Sequence, residues 1–224
     1  MIADGYSVEA ACRASVGQHK GVNQRRMLFL DVEQRRELLL HATGAVRDLM
    51  AGMALTGARP GDLTGVRCSS YDARTQSVTF ASKNAIRTVP LPSAAVELFN
   101  RLAQDKRSDD LLFTRDDGKR WAHSDGDDLV RAAAHRAGLP SGVCLYTLRH
   151  GWITQSLMDG MSTLEVARIS GTSVAMIERH YGHLVMNAAR EGSRGWRCCE
   201  SRSQRAPGRR IGKPKLVVQM IQER

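Results

Sequence analysis

The chain has 224 residues, 42% hydrophobic and 25% charged, with a net charge of +10 and a pI near 9.9. That length holds one large domain or two small ones with a real core, and the basic balance favours a polyanionic partner. It offers no apolar run of about 18 residues, no basic–apolar–cleavage pattern at the N-terminus and no CxxC pair among five scattered cysteines, so a membrane span, a secretory leader and a zinc site are not expected and reduced thiols are.

The charge is uneven. Residues 185–224 hold ten Lys/Arg against three Asp/Glu, whereas residues 1–184 hold 23 against 20. Any nucleic-acid surface on the nearly neutral body must therefore be local.

Residues 1–26 show no clean periodicity and read as a short helix plus a linker. Residues 29–55 predict two helices, one beginning near Asp31 with Leu38, Leu39 and Leu40, the next with Val46, Leu49, Met50, Met53 and Leu55 at helical spacing. In TGARPGDLTGVR, residues 56–67, Gly57 stops the second helix and Pro60 suits the first position of a third. Arg59 then sits at a helix start, where a phosphate is welcome. Pairing with Asp62 at the surface is the plainer alternative.

Three strands are predicted next, over VRCSSYD, QSVTFAS and IRTVPLP, from their β-branched and aromatic content. Lys83 falls at the tip of the hairpin joining the second and third, as a solvated charge or as a mobile proton donor. Pro92 and Ser93 open an amphipathic helix with Val96, Leu98, Phe99 and Leu102. Residues 109–128 are mostly turns around a short LLF segment. About a dozen helical residues follow, through Leu129, Val130 and Ala132–Ala134, ended by Gly138, Leu139 and Pro140.

Residues 145–184 organise the rest. Arg149 and His150 fall on the first turn of a helix, and Ser162 with Glu165 forms a capping box for the next. Gly171 breaks that helix, and Thr172 or Ser173 caps another carrying Val174, Met176, Ile177 and Tyr181. Two readings fit this stretch alone. One is a helix-turn-helix DNA reader. The other is phosphoryl transfer, with Tyr181 as nucleophile and Arg149 as phosphate clamp. The last forty residues are rich in Gly, Ser and Arg without a core face, and read as a largely disordered tail, either a basic arm on DNA or incidental.

Four segments in order, TGARPGDL, SKNAIRTVPLP, YTLRHGWITQSL and ISGTSVAMIERHYGHL, make residues 29–185 resemble the catalytic domain of the tyrosine recombinase (phage integrase) family. The resemblance implies a mostly helical α+β domain with a small three-stranded antiparallel sheet. It implies a site of Arg59, Lys83, Tyr146, Arg149, Thr172 and Tyr181. Arg59 and Arg149 would hold the non-bridging phosphate oxygens, Tyr181 would attack phosphorus to give a 3′-phosphotyrosine, and Lys83 would protonate the leaving 5′-oxygen. The residue types suit that chemistry: guanidiniums are always charged and bidentate, and a phenol with a pKa of about 10 needs a positive pocket and a proton acceptor.

Two positions depart from the family's commonest pattern. Tyr146 stands where His is usual and is a poorer base near neutral pH. Thr172 stands where His or Trp is usual and keeps a hydroxyl. His150 is usually structural in the family. A metal held by His150, His180 and His183 is disfavoured. Family members also carry an N-terminal helical core-binding domain of about a hundred residues, so residues 1–28 read as a remnant or linker, 29–185 as the catalytic domain and 186–224 as the tail. The expected partner is double-stranded DNA, engaged by a homo-tetramer when active, in the bacterial cytoplasm. No cofactor, metal, membrane or small-molecule substrate is implied. The alternatives are a catalytically impaired integrase remnant or accessory DNA-binding protein, and a helix-turn-helix regulator that would keep Arg59 and Tyr181 far apart.

Overall fold

A computed structural model describes residues 28–82, 85–122 and 125–182, leaving out the side chains of residues 82 and 85. Helix α1 (Val32–Leu40) starts where expected. Asp31 accepts the Gln34 backbone N–H at 2.8 Å, and the Gln34 side chain takes the Asp31 N–H at 3.1 Å. Such reciprocal caps satisfy two of the helix's orphan donors. Of the predicted leucines, Leu38 and Leu39 are buried, but Leu40 turns outward, 53% exposed.

Helix α2 (Gly44–Thr56) is the central element, with every residue from 49 to 56 buried. A helix apolar on all sides belongs in a core, and α2 packs against most of the other helices. Gly57 ends it in the left-handed conformation, φ 63°, as the stop signal at that position required. The short α3 (Pro60–Thr64) follows, with Arg59 as its N-cap and Pro60 at its first position.

The sheet is antiparallel in the order β1 (Tyr71–Asp72), β2 (Ser77–Ser82), β3 (Ala85–Pro90). Val78 pairs with Val89 and Phe80 with Arg87, which puts these four on one face; Thr79 and Thr88 share the other, their hydroxyls 3.0 Å apart. The first strand is shorter than VRCSSYD suggested. Cys68–Ser70 form a 3₁₀ turn, and the Cys68 and Ser69 N–H groups go to Asp110 O and Ser108 O, while Arg67 bridges Leu111. Those backbone groups are spent on the 108–112 loop, so only Tyr71 and Asp72 remain to pair with β2.

Helix α4 (Ser93–Ala103) lays Ala94, Ala95, Leu98 and Phe99 on α2, and Phe99 meets Phe113 edge-on with ring centroids 5.3 Å apart. Helix α5 (Asp125–Arg136) ends as expected at Gly138, φ 65°, with the Leu139 N–H on Ala134 O. Helix α6 (Leu145–Met158) begins earlier than the sequence suggested. The Thr147 hydroxyl takes the Cys144 N–H at 3.1 Å, so the helix starts at Leu145 and Arg149 opens its second turn. Cys68, beside the 108–112 loop, is a free thiol. Helix α7 (Thr163–Ser170) has the predicted Ser162–Glu165 capping box and ends at Gly171, φ 70°. Helix α8 runs over residues 174–182, the limit of the described chain, and Ser173 Oγ accepts the Met176 N–H to cap it.

The buried side chains form two clusters. The larger unites α1–α6 with the sheet. The smaller holds Ile153, Leu157, Val166, Ala167, Ile177 and Tyr181, and joins α6, α7 and α8. Among the described residues no helix is long and apolar enough to cross a membrane. The observed architecture is the mostly helical α+β arrangement with a three-stranded antiparallel sheet expected from the sequence.

Candidate active site

Arg149 is the centre of the site. Its side chain leaves α6 into the interior, where the residue is only 5% exposed. Nη1 donates to Gly57 O at 2.8 Å and to Ser170 O at 2.6 Å, the carbonyls where α2 and α7 end. Free carbonyls at a helix C-terminus carry partial negative charge, so the buried cation is held by main-chain oxygens, with no carboxylate paired to it among the described residues. The remaining guanidinium N–H groups lie on the fork that recognises an oxyanion.

Burial lowers the Arg149 pKa from its ordinary value to about 10; nearby Arg59 and Arg87 push the same way, while Tyr146 and Tyr181 oppose them. At neutral pH it stays charged. Arg59, Tyr146 and Tyr181 are thus all within electrostatic reach of one guanidinium.

Arg59 is the exposed member, its side chain 38% accessible and 3.9 Å from Asp62 Oδ2. It lines a cleft with Pro60, Asp62, Trp121, Leu145 and Tyr146. Asp62 is engaged elsewhere as well. Arg87 Nη2 lies 2.7 Å from Asp62 Oδ2, with both side chains nearly buried at 11% and 9% exposure. Arg87 Nε donates to Ile169 O at 3.1 Å, and its guanidinium carbon lies 4.8 Å from the Phe80 ring centroid. A Cβ on Gly171 would come within 2.6 Å of that carbon. Arg87 thus ties the sheet, α3 and the end of α7 together, and so steadies both Arg59 and the Ser170 carbonyl under Arg149. The sequence reading missed it; its place two residues before the core-facing Val89 was the available signal.

Tyr181 is 5% exposed, in the smaller core cluster. Burial raises its pKa well above the ordinary phenol value, and Arg149 pulls the other way. Its hydroxyl is hydrogen-bonded to His150 Nδ1. Tyr146 lies one turn before His150 on α6, ring centroids 6.4 Å apart, and the His150 and Tyr181 centroids are 6.1 Å apart. Thr172 is half-buried just past α7, its backbone N–H on Ala167 O at 2.9 Å. Of the six residues singled out by sequence, Arg59, Tyr146, Arg149 and Tyr181 are brought together, Thr172 lies beside them in the chain segment between α7 and α8, and Lys83 lies outside the described residues.

Residues 29–188 match the phage integrase family. The chain belongs to that family. Among curated proteins, this integrase-family chain is 27% identical over 145 residues to tyrosine recombinase XerD of Mycobacterium tuberculosis, covering 61% of the chain and 47% of XerD. It is 25% identical over 157 residues to the Mycobacterium leprae protein of the same name, covering 65% and 50%. The chain thus spans about half the length of these relatives. Among solved structures it is similar in fold to XerA recombinase (TM-score 0.63, 23% identity, 75% of this chain and 64% of that one). It is similarly close to the Tn1549 transposon integrase in complex with circular intermediate DNA (TM-score 0.64, 16% identity, 75% and 66%). A lambda integrase dimer bound to a core site gives a TM-score of 0.56 at 14% identity, over 70% and 61%.

Proposed function

We propose that the chain is a tyrosine-type DNA strand transferase, a site-specific recombinase that cleaves and rejoins DNA through a 3′-phosphotyrosine. The observation that carries this reading is the buried, carbonyl-held Arg149 with Arg59 and the Tyr181 phenol gathered around it. A scissile phosphate seated on the two guanidiniums would place phosphorus before Tyr181. The extra negative charge of the transition state would develop where preorganised donors already point, the usual source of most rate enhancement in such sites. Lys83 is proposed to protonate the 5′-oxygen as it leaves. The energy of the broken diester is kept in the protein–DNA ester, so rejoining needs no ATP. Thr172 and Tyr146 are proposed as hydrogen-bond donors around the phosphate.

The partner is proposed to be double-stranded DNA, gripped by a homo-tetramer in the active assembly, and the element a phage or related mobile DNA. Support comes from the family and from the DNA in the Tn1549 and lambda integrase structures. The proposed catalytic domain is 29–185, between an N-terminal linker and a basic tail. One observation favours a second reading, an integrase with impaired chemistry that still binds DNA: Tyr146 occupies the position where the family usually has an imidazole. A helix-turn-helix regulator is less well supported, since it gives no reason for Arg59 and Tyr181 to share one guanidinium.

The test is a suicide-substrate assay. The full chain is incubated with a library of nicked duplexes with randomised arms, and a denaturing gel is read for a covalent protein–DNA band. Strand transfer predicts a band that Tyr181→Phe abolishes. DNA binding without any band supports the impaired reading.

A further inference from the structure

We infer that His150 is the general base for Tyr181, taking over the proton-accepting task that Tyr146 is chemically unsuited to perform. The inference rests on the strand-transferase reading and adds to it the residue that receives the nucleophile's proton. Three observations carry it. The Tyr181 hydroxyl is hydrogen-bonded to His150 Nδ1, so donor and acceptor already meet at the reacting oxygen. Tyr181 and Arg149 influence each other electrostatically, and His150 adjoins Arg149 on α6, so this contact is made near where a phosphate would be held. Tyr146 and His150 are one turn apart on α6 with neighbouring rings, so an imidazole reaches the site from the next turn of the same helix face.

The chemistry balances. A buried phenol keeps its proton at neutral pH, as the upward shift of Tyr181 shows, and the proposal requires the neutral His150 tautomer whose Nδ1 is free to accept that proton. An imidazole with a pKa near 6.5 is suited to accept that proton as the bond forms. As Oη attacks phosphorus the proton passes to Nδ1, the Oη–P bond forms and the P–O5′ bond breaks. The departing oxygen takes its own proton from the general acid, proposed above as Lys83. In rejoining, the imidazolium returns its proton to the phenolate. A phenol at position 146 is the poorer acceptor, because an ordinary phenol pKa of about 10 lies well above neutral pH.

The test uses the full chain on the nicked duplex, in single turnover, with three variants. His150→Ala should slow adduct formation by roughly 100-fold or more, the ordinary contribution of a general base. His150→Asn should be about as slow, because an amide can fill the space and hydrogen-bond the phenol but cannot accept its proton. A 5′-bridging phosphorothiolate substrate, whose sulfur leaves without protonation, should restore Lys83→Ala but neither His150 variant. Either His150 variant running within about threefold of wild type, or faster, overturns the proposal; a faster one would mean that His150 restrains Tyr181. So does recovery of the His150 variants on the sulfur substrate, or an active His150→Asn beside a dead His150→Ala, which would mean positioning alone. Those outcomes leave the Tyr181 reading standing. A wild-type protein with no Tyr181-dependent adduct on any nicked duplex overturns that reading and this proposal with it.

Discussion

Replacing Arg87 with methionine isolates the link between the sheet and the two arginine-bearing segments. Methionine keeps most of the stem's volume over Phe80 but removes the charge. It leaves the Asp62 carboxylate, 9% exposed, without its 2.7 Å partner, and leaves Ile169 O without a donor. Breaking one side of a buried ion pair costs roughly 3–5 kcal/mol. Arg59 at 3.9 Å offers Asp62 a partial substitute, which argues for the lower end, about 3 kcal/mol. For a domain of this size each kcal/mol moves the melting temperature by about 2–4 °C, so thermal unfolding followed by circular dichroism should show a fall of roughly 6–12 °C. The companion Asp62→Leu with Arg87→Met removes both charges and should recover at least half of that loss, because no buried charge is then left alone. A single variant melting within about 2 °C of wild type would refute the reasoning. So would strictly additive single and double variants, because residues in direct contact should couple.

Two further predictions concern neighbouring residues. Folding holds the Tyr181 pKa above its unfolded value, so the folded state binds the extra proton. The stabilisation is therefore complete below pH about 10 and lost as pH rises through that value toward the folded pKa. Urea titrations at pH 9 and 11 should show wild type losing stability relative to Tyr181→Phe, and parallel behaviour of the two would count against a buried Tyr181. Gly57→Ala forces a Cβ to within 2.3 Å of the Trp152 ring at φ 63°. Left-handed strain and overpacking together should cost roughly 2–4 kcal/mol. The same melting assay reads this, and an unchanged midpoint would mean that Trp152 swings aside freely.

Much of this could be read from the residues because the signals are local. Asp31 with Gln34 and Ser162 with Glu165 are caps written within four positions, and Gly57, Gly138 and Gly171 stop their helices as glycines do. The apolar spacing of α2 announces a core helix. What escaped depends on distant partners. Arg87 reads as an ordinary polar position in IRTVPLP, and only Asp62, 25 residues earlier, and Ile169, 82 residues later, reveal an inward-facing cation. The 66–70 segment has strand composition, but the 108–112 loop claims its backbone first. His150 follows Arg149 directly and so looked structural. Its one-turn spacing from Tyr146 was visible, but the arrival of Tyr181 from α8 was not.

The acceptors that grip Arg149 are main-chain oxygens, and this changes where its position is stored in the gene. Mutating Ser170 leaves the Ser170 carbonyl in place. The placement is inherited instead through the helix stops, since Gly57 and Gly171 determine where two carbonyl rows run out and which oxygens face the guanidinium. A lineage could exchange many side chains along α2 and α7 without disturbing the arginine. Shifting either stop by one residue would rotate the exposed carbonyls by about 100° and dismantle the grip without altering any residue that takes part in the chemistry.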